Sequence, residues 1–158
     1  YTYISIKKYL ILEKIMESVA SLNFTELDLW DHLWMASGGQ GSWFLALGFL
    51  SWVGLRIGQN IYNNAETPIV MKLAGTIFSL FIAYGWLINF GASEWNANGV
   101  ANAMAAIEAS GQVISPYAAE LIANNNPGEP FNLVPSLVQG LFILSITALQ
   151  LLPMWIKK

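Results

Sequence analysis

The chain has no cysteine and a single histidine, His32, among its 158 residues. Disulfides, thiolate metal sites, cysteine nucleophiles and multi-histidine metal centres are therefore excluded, so neither a metal nor a catalytic residue is expected. Charge is scarce as well. Lys and Arg number 7 and Asp and Glu 10, together 11% of the chain, where a soluble domain usually carries roughly 25%. So few charged side chains cannot wet a globule of this size, and part of its surface must meet something other than water. The net charge of −3 lacks the clustered basic face that nucleic-acid binding requires, so no nucleic-acid partner is expected. No HExxH, GxSxG, GxGxxG or Walker-type loop occurs. The long apolar runs contain no Asp, Glu or His. This argues against a membrane oxygenase core, a bis-histidine haem subunit and a carboxylate-driven pump, and no cofactor is expected.

What is abundant is apolar: 55% of residues are hydrophobic and the mean hydropathy is +0.48. Three stretches read as membrane spans. A hydrocarbon core about 30 Å thick needs around 20 apolar residues at about 1.5 Å rise each. Residues 42–62 provide one stretch with a single charge, Arg56; residues 69–91 provide another with Lys72 near its start; residues 133–156 carry none. Trp43, Tyr62, Trp95 and Trp155 fall at the stretch boundaries, where amphipathic rings sit at headgroup level. Pro68 suits a first helical turn, and Pro153 is placed to bend or end the third helix. The fold class is thus an all-α integral membrane protein of three transmembrane helices in one domain, residues 1–158.

Charge asymmetry gives the spans a sense. Arg56 and Lys72 flank Asn63-Asn64-Ala65-Glu66-Thr67, and Lys157 and Lys158 follow two crossings later. Residues 21–41 and the 92–131 loop are acidic and contain no Lys or Arg. Because Lys and Arg favour the cytoplasmic side, residues 21–41 and 92–131 are expected outside and the C-terminus cytoplasmic, in a bacterial or archaeal cytoplasmic membrane. Lys7, Lys8 and Lys14 run against this sense. The apolar run 9–12 is too short for a signal core, and Met16 offers an alternative start with residues 1–15 then extraneous.

Residues 1–41 read as an N-terminal interfacial segment. Leu27, Trp30, Leu33 and Trp34 form an apolar stripe opposite Asp28 and Asp31, with Thr25 and Asp28 as a capping pair. The glycine-rich run 38–41 is expected to bend the chain into the first span. Within the outside loop, 97–110 is helix-favouring through Val100, Met104 and Ile107, and Pro116 opens a second short helix that stops at Asn124-Asn125-Asn126-Pro127-Gly128. Both are expected to lie on the membrane face.

Small residues recur at four-residue spacing: Gly54 with Gly58, then Gly75, Ser79 and Ala83, then Ser136 with Gly140. Such ridges let helix backbones approach, and these residues are the helix-packing candidates. Asn89, Gln139, Ser145, Thr147 and Gln150 are polar groups within apolar runs, expected to bond across helices. Arg56 with Asn60 is the one candidate polar functional patch, although an arginine near a span end also snorkels. Asp31 and His32 are adjacent, and consecutive helical residues do not face each other. Phe44, Phe49, Trp52, Phe78, Phe81, Trp86 and Phe142 are expected to face lipid or a partner.

The reading is a non-catalytic membrane protein, an accessory or structural subunit of a larger complex, with the lipid bilayer and other subunits or copies of itself as partners. The alternatives are a homo-oligomeric pore, channel or small transporter subunit, and a lipid- or cofactor-binding subunit of a membrane enzyme.

Overall fold

The computed structural model describes residues 25–64 and 66–156; Lys7, Lys8, Lys14, Met16, Ala65, Lys157 and Lys158 lie outside them. Among the described residues the chain is all-helical, with α1 at Glu26–Asn63, α2 at Ile69–Ala109, α3 at Pro116–Asn124 and α4 at Leu137–Trp155. Of these α1, α2 and α4 are long and apolar enough to cross a membrane.

The N-terminus of α1 is a reciprocal cap. Asp28 N donates to Thr25 Oγ1 at 3.3 Å, and Thr25 N donates to Asp28 Oδ2 at 2.9 Å. Acidic residues in the first turn also favour its positive dipole end. The expected bend at 38–41 is not there. The helix passes through Gly38, Gly39 and Gly41 without a break, and none of them takes a positive φ. A helical glycine costs only about 1 kcal/mol against alanine, and here the bonds made by Gln40 to α2 hold the run helical.

The second expected span also extends further than its apolar stretch. Residues 92–109 continue α2 rather than forming a separate surface helix. Nothing in Gly91-Ala92-Ser93-Glu94 breaks a helix, and Val100, Met104 and Ile107 are buried. The stop is Gly111 at φ 89°, the left-handed position that ends many helices. The third stretch starts late, at Leu137, because Ser136 caps it: Ser136 Oγ and the Gln139 side chain form a capping box. Pro153 sits inside α4, two residues from its end.

The chain divides into two compact units. The first holds the described residues up to Ser37 together with Trp95–Pro130. Its core is Leu29, Val100, Met104, Ile107 and Ala118, with Trp30, Leu121 and Ile122 against it. Asn126 N donates to Asn98 Oδ1 at 3.0 Å and pins the turn after α3.

The second unit holds Gly38–Glu94 and the chain from Phe131 onward. Here α1 and α4 run parallel, with α2 antiparallel to both. Phe44 and Phe142 flank Trp86 at one end, while Ile57 and Met154 meet Gly75 at the other. α1 approaches α4 closely: a Cβ on Gly58 would stand 2.6 Å from the backbone O of Gln150.

That contact yields a prediction. Gly58→Ala must push α4 away, at a cost of about 1–3 kcal/mol, and should lower the midpoint of thermal unfolding followed by circular dichroism. Gly48→Ala, with nothing within 4 Å of its Cβ, should leave it unchanged or raise it, since alanine is the better helix former. Equal effects from both would refute the close-approach account.

Candidate functional site

The chemistry-bearing side chains of the second unit form two polar clusters within an apolar bundle. The deeper one joins all three helices. Trp86 on α2 is 2% exposed, and its indole Nε1 donates to Ser51 Oγ on α1 at 3.0 Å. Gln150 on α4 is fully buried, and its Nε2 donates to the Ser51 carbonyl at 3.0 Å. Rings complete the enclosure of Trp86. Phe44 and Phe142 meet it edge-on, with centroids at 4.9 and 5.1 Å, and Phe90 stacks at 5.6 Å. An indole is large and apolar with one donor to place, and this pocket meets both demands.

The second cluster lies toward the start of the unit. Asn89 Nδ2 donates to the Gln40 carbonyl at 3.4 Å, and Ser93 Oγ donates to Gln40 Oε1 at 3.1 Å. Gln40 Nε2 is buried without a partner, as is Gln150 Oε1.

The sequence-chosen residues divide between these places and the surface. Gly54 faces the Gln150 amide, where a Cβ would lie 2.7 Å from Cδ, and Gly58 faces its backbone. A Cβ on Gly75 would lie 3.0 Å from Met154 Sδ. Ser79 is fully buried and donates to the Gly75 carbonyl at 3.0 Å, and Ala83 packs on the Leu47–Ile82–Trp86–Ile143 core. Within this chain Ser136 and Gly140 meet no other helix: Ser136 is an exposed cap, and a Cβ on Gly140 would meet only Pro135. The face α4 turns inward is instead Ile143, Gln150 and Met154.

Arg56 and Asn60 are both exposed on α1, so they form no enclosed patch within this chain. Asp31 and His32 are exposed too. His32 instead shares the rim of a cleft of about 390 Å³ with Asp28, Trp95 and Asn96 in the first unit. Trp86, placed by its sequence among outward-facing aromatics, is the largest of the fully buried side chains among the described residues. The signal for this was its position: an indole N–H in the middle of an apolar run needs an acceptor within the protein. Phe49, Trp52 and Phe81 do face outward. Ser145 bonds back to its own helix, and Gln139 is spent on the cap.

In the first unit one carboxylate organises two helices. Glu26 accepts from Ser115 Oγ, from the Trp30 indole at 3.0 Å and from Ser115 N at 2.8 Å. Ser115 in turn caps α3. Among the described residues no three His, Asp or Glu side chains gather as a metal site. The sequence matches no family model, and no curated protein or solved structure matches it either.

Hydrogen bonds from the Ser115 hydroxyl, then the Trp30 indole, then the Ser115 amide hold the Glu26 carboxyl below its ordinary 4.5. Thr25 does the same for Asp28. A carboxylate depressed on folding stabilises above its unfolded pKa, and that contribution is lost as pH falls through the folded value. Hydrogen-exchange protection of α3 should therefore hold from neutral pH down to about 4.5 and decline below it. Glu26→Gln should lower protection at neutral pH and flatten most of the decline; protection that matches the parent at every pH contradicts the assignment.

Proposed function

We propose that this chain is an integral membrane protein of three spans, a non-catalytic subunit that packs against other chains of a larger membrane complex. The observation that carries the reading is the apolar surface its helices leave uncovered. Of the most apolar stretch in α1, α2 and α4, only 22%, 28% and 17% is buried inside the chain. Leu45, Leu137 and Val138 are three-quarters or more exposed. Uncovered apolar surface on this scale marks a membrane or a protein interface. The helix lengths agree: 19 residues suffice for one crossing, and 38 and 41 residues are about twice what the hydrocarbon core needs.

The proposed sense places residues 21–41 and 92–131 outside and the C-terminus in the cytoplasm, in a bacterial or archaeal cytoplasmic membrane. Two features support it. The acidic segments belong largely to one compact unit, as a shared side requires. Within the second unit, Trp155 Nε1 donates to Thr76 Oγ1 at 3.0 Å, which brings the end of α4 beside the start of α2, one turn from Lys72. The absence of a converging acid, base or nucleophile in either polar cluster favours a structural role, with hydrogen bonds serving helix association. Arg56 and Asn60, exposed one turn apart, favour a second reading: a pore lined by these residues between copies.

Membranes washed with alkaline carbonate should retain the chain, and mild detergent should release it with other polypeptides in fixed ratio. Release by carbonate contradicts membrane insertion. A particle of this chain alone contradicts the subunit reading, and ion flux through such a particle that changes on Arg56→Ala would establish the pore.

A further inference from the structure

We infer that the cleft between α1 and α2 in the first unit binds a small soluble compound bearing a quaternary ammonium group. The site is independent of the three-span reading, since every residue lining it belongs to the first unit.

The cleft has a volume of about 390 Å³, within the range of small-molecule sites. Asp28 and His32 line it from α1; they are one helical turn apart and so stand side by side. Trp95 and Gly99 line it from α2 with the same spacing. Asp28, His32 and Trp95 are all exposed, so a ligand arriving from water reaches a carboxylate, an imidazole and an indole directly. Gly99 adds no bulk, and a Cβ there would have nothing within 4 Å. The apolar part of the lining includes Leu29 and Val100, both buried.

The charge of this unit selects a cation. Both hydrogen bonds accepted by the Asp28 carboxylate come from Thr25 and end on Oδ2, which leaves Oδ1 available to a ligand. The same bonds hold its carboxyl below the usual aspartate value, so it is charged at neutral pH. The described part of the unit also carries Glu26, Asp31, Glu108, Glu120 and Glu129, and no Lys or Arg. A surface of one sign raises the local concentration of the opposite ion and repels its own.

The rest of the lining makes that cation organic and methylated. Asp28 and His32 are the only His, Asp or Glu on it, and no three such side chains gather among the described residues. Two ligands are too few to replace the hydration shell of a metal ion. Leu29 and Val100 instead offer contact to methyl groups, and an indole attracts a quaternary ammonium through its ring quadrupole. A primary ammonium carries three N–H donors that each need an acceptor, and an apolar wall supplies none. Asn96, also on the lining, can exchange a hydrogen bond with a hydroxyl of the same ligand.

The test uses the full chain in maltoside detergent, with choline titrated against the nitrogen-15 resonances of the Trp95 indole and the Gly99 amide. Choline should shift both and leave the Trp86 indole unmoved. Its uncharged carbon isostere should bind about tenfold more weakly, having lost both the ion pair and the cation–π contact. Ethanolamine, which lacks the methyl groups, should also bind more weakly than choline. Asp28→Asn, which keeps the shape of the cap, should weaken choline about threefold, and Trp95→Leu about threefold. Gly99→Leu, growing into open space, should abolish binding while the thermal midpoint is kept. Phosphocholine carries the same ammonium beside the phosphate of a lipid headgroup, and the acidic unit should make it bind more weakly than choline.

Choline that leaves both resonances unmoved, or that binds Gly99→Leu as it binds the parent, overturns the site. Equal binding of the carbon isostere overturns the cationic assignment. Ethanolamine binding as tightly as choline overturns the quaternary one. Phosphocholine binding as tightly as choline overturns a soluble ligand in favour of a lipid headgroup.

Discussion

The hydrogen bond from the Trp86 indole to Ser51 Oγ is the interaction around which the second unit is arranged. It fixes the height of α2 against α1. The carbonyl of the same serine accepts from Gln150, which fixes α4 against α1. One residue therefore sets the register of three helices, and the ring contacts of Trp86 with Phe44 and Phe142 repeat the same register in apolar form. Gly54 and Gly58 are what this geometry requires. Any side chain at either position would occupy the space of Gln150, and α4 could not approach closely enough for its amide to reach Ser51.

If the long helices are set in hydrocarbon, as proposed, this division between a small polar centre and a large apolar exterior follows from where each kind of force acts. Helices surrounded by hydrocarbon gain nothing by hiding apolar surface from one another. Their association must come from close packing and interhelical hydrogen bonds, the latter averaging about 0.6 kcal/mol each. The second unit has those features: glycine contacts, two interhelical bonds at Ser51, and two more from Asn89 and Ser93 to Gln40. The first unit is held differently, by a core of Leu29, Val100, Met104, Ile107 and Ala118 and by a carboxylate tied to a helix cap.

Much of this was legible before the structure. Apolar run length located three long helices, and Gly54, Gly58 and Gly75 marked positions where another helix comes close. Where sequence expectation and structure part, tertiary contacts rather than local signals decide the boundary. The glycines at 38–41 suggested a bend, yet Gln40 is held to α2 and the helix passes through. The end of the apolar run at Gly91 suggested the end of a helix, yet Val100 and Met104 continue it by packing in the first unit. Ser136 looked like part of a small-residue ridge because spacing cannot distinguish a cap from a contact. Trp86 and Gln40 were illegible for a deeper reason. Whether a polar group is satisfied depends on a partner some 35 to 53 residues away in sequence, and no periodicity carries that information.

Trp86, Ser51 and Gln150 form one connected centre, and the nitrogen-15 resonance of the Trp86 indole reports on it most directly. The indole proton should exchange slowly with solvent, its resonance should shift on Ser51→Ala, and its exchange should quicken on Gln150→Met. An indole proton that exchanges freely in the parent chain, or that responds to neither substitution, would contradict it.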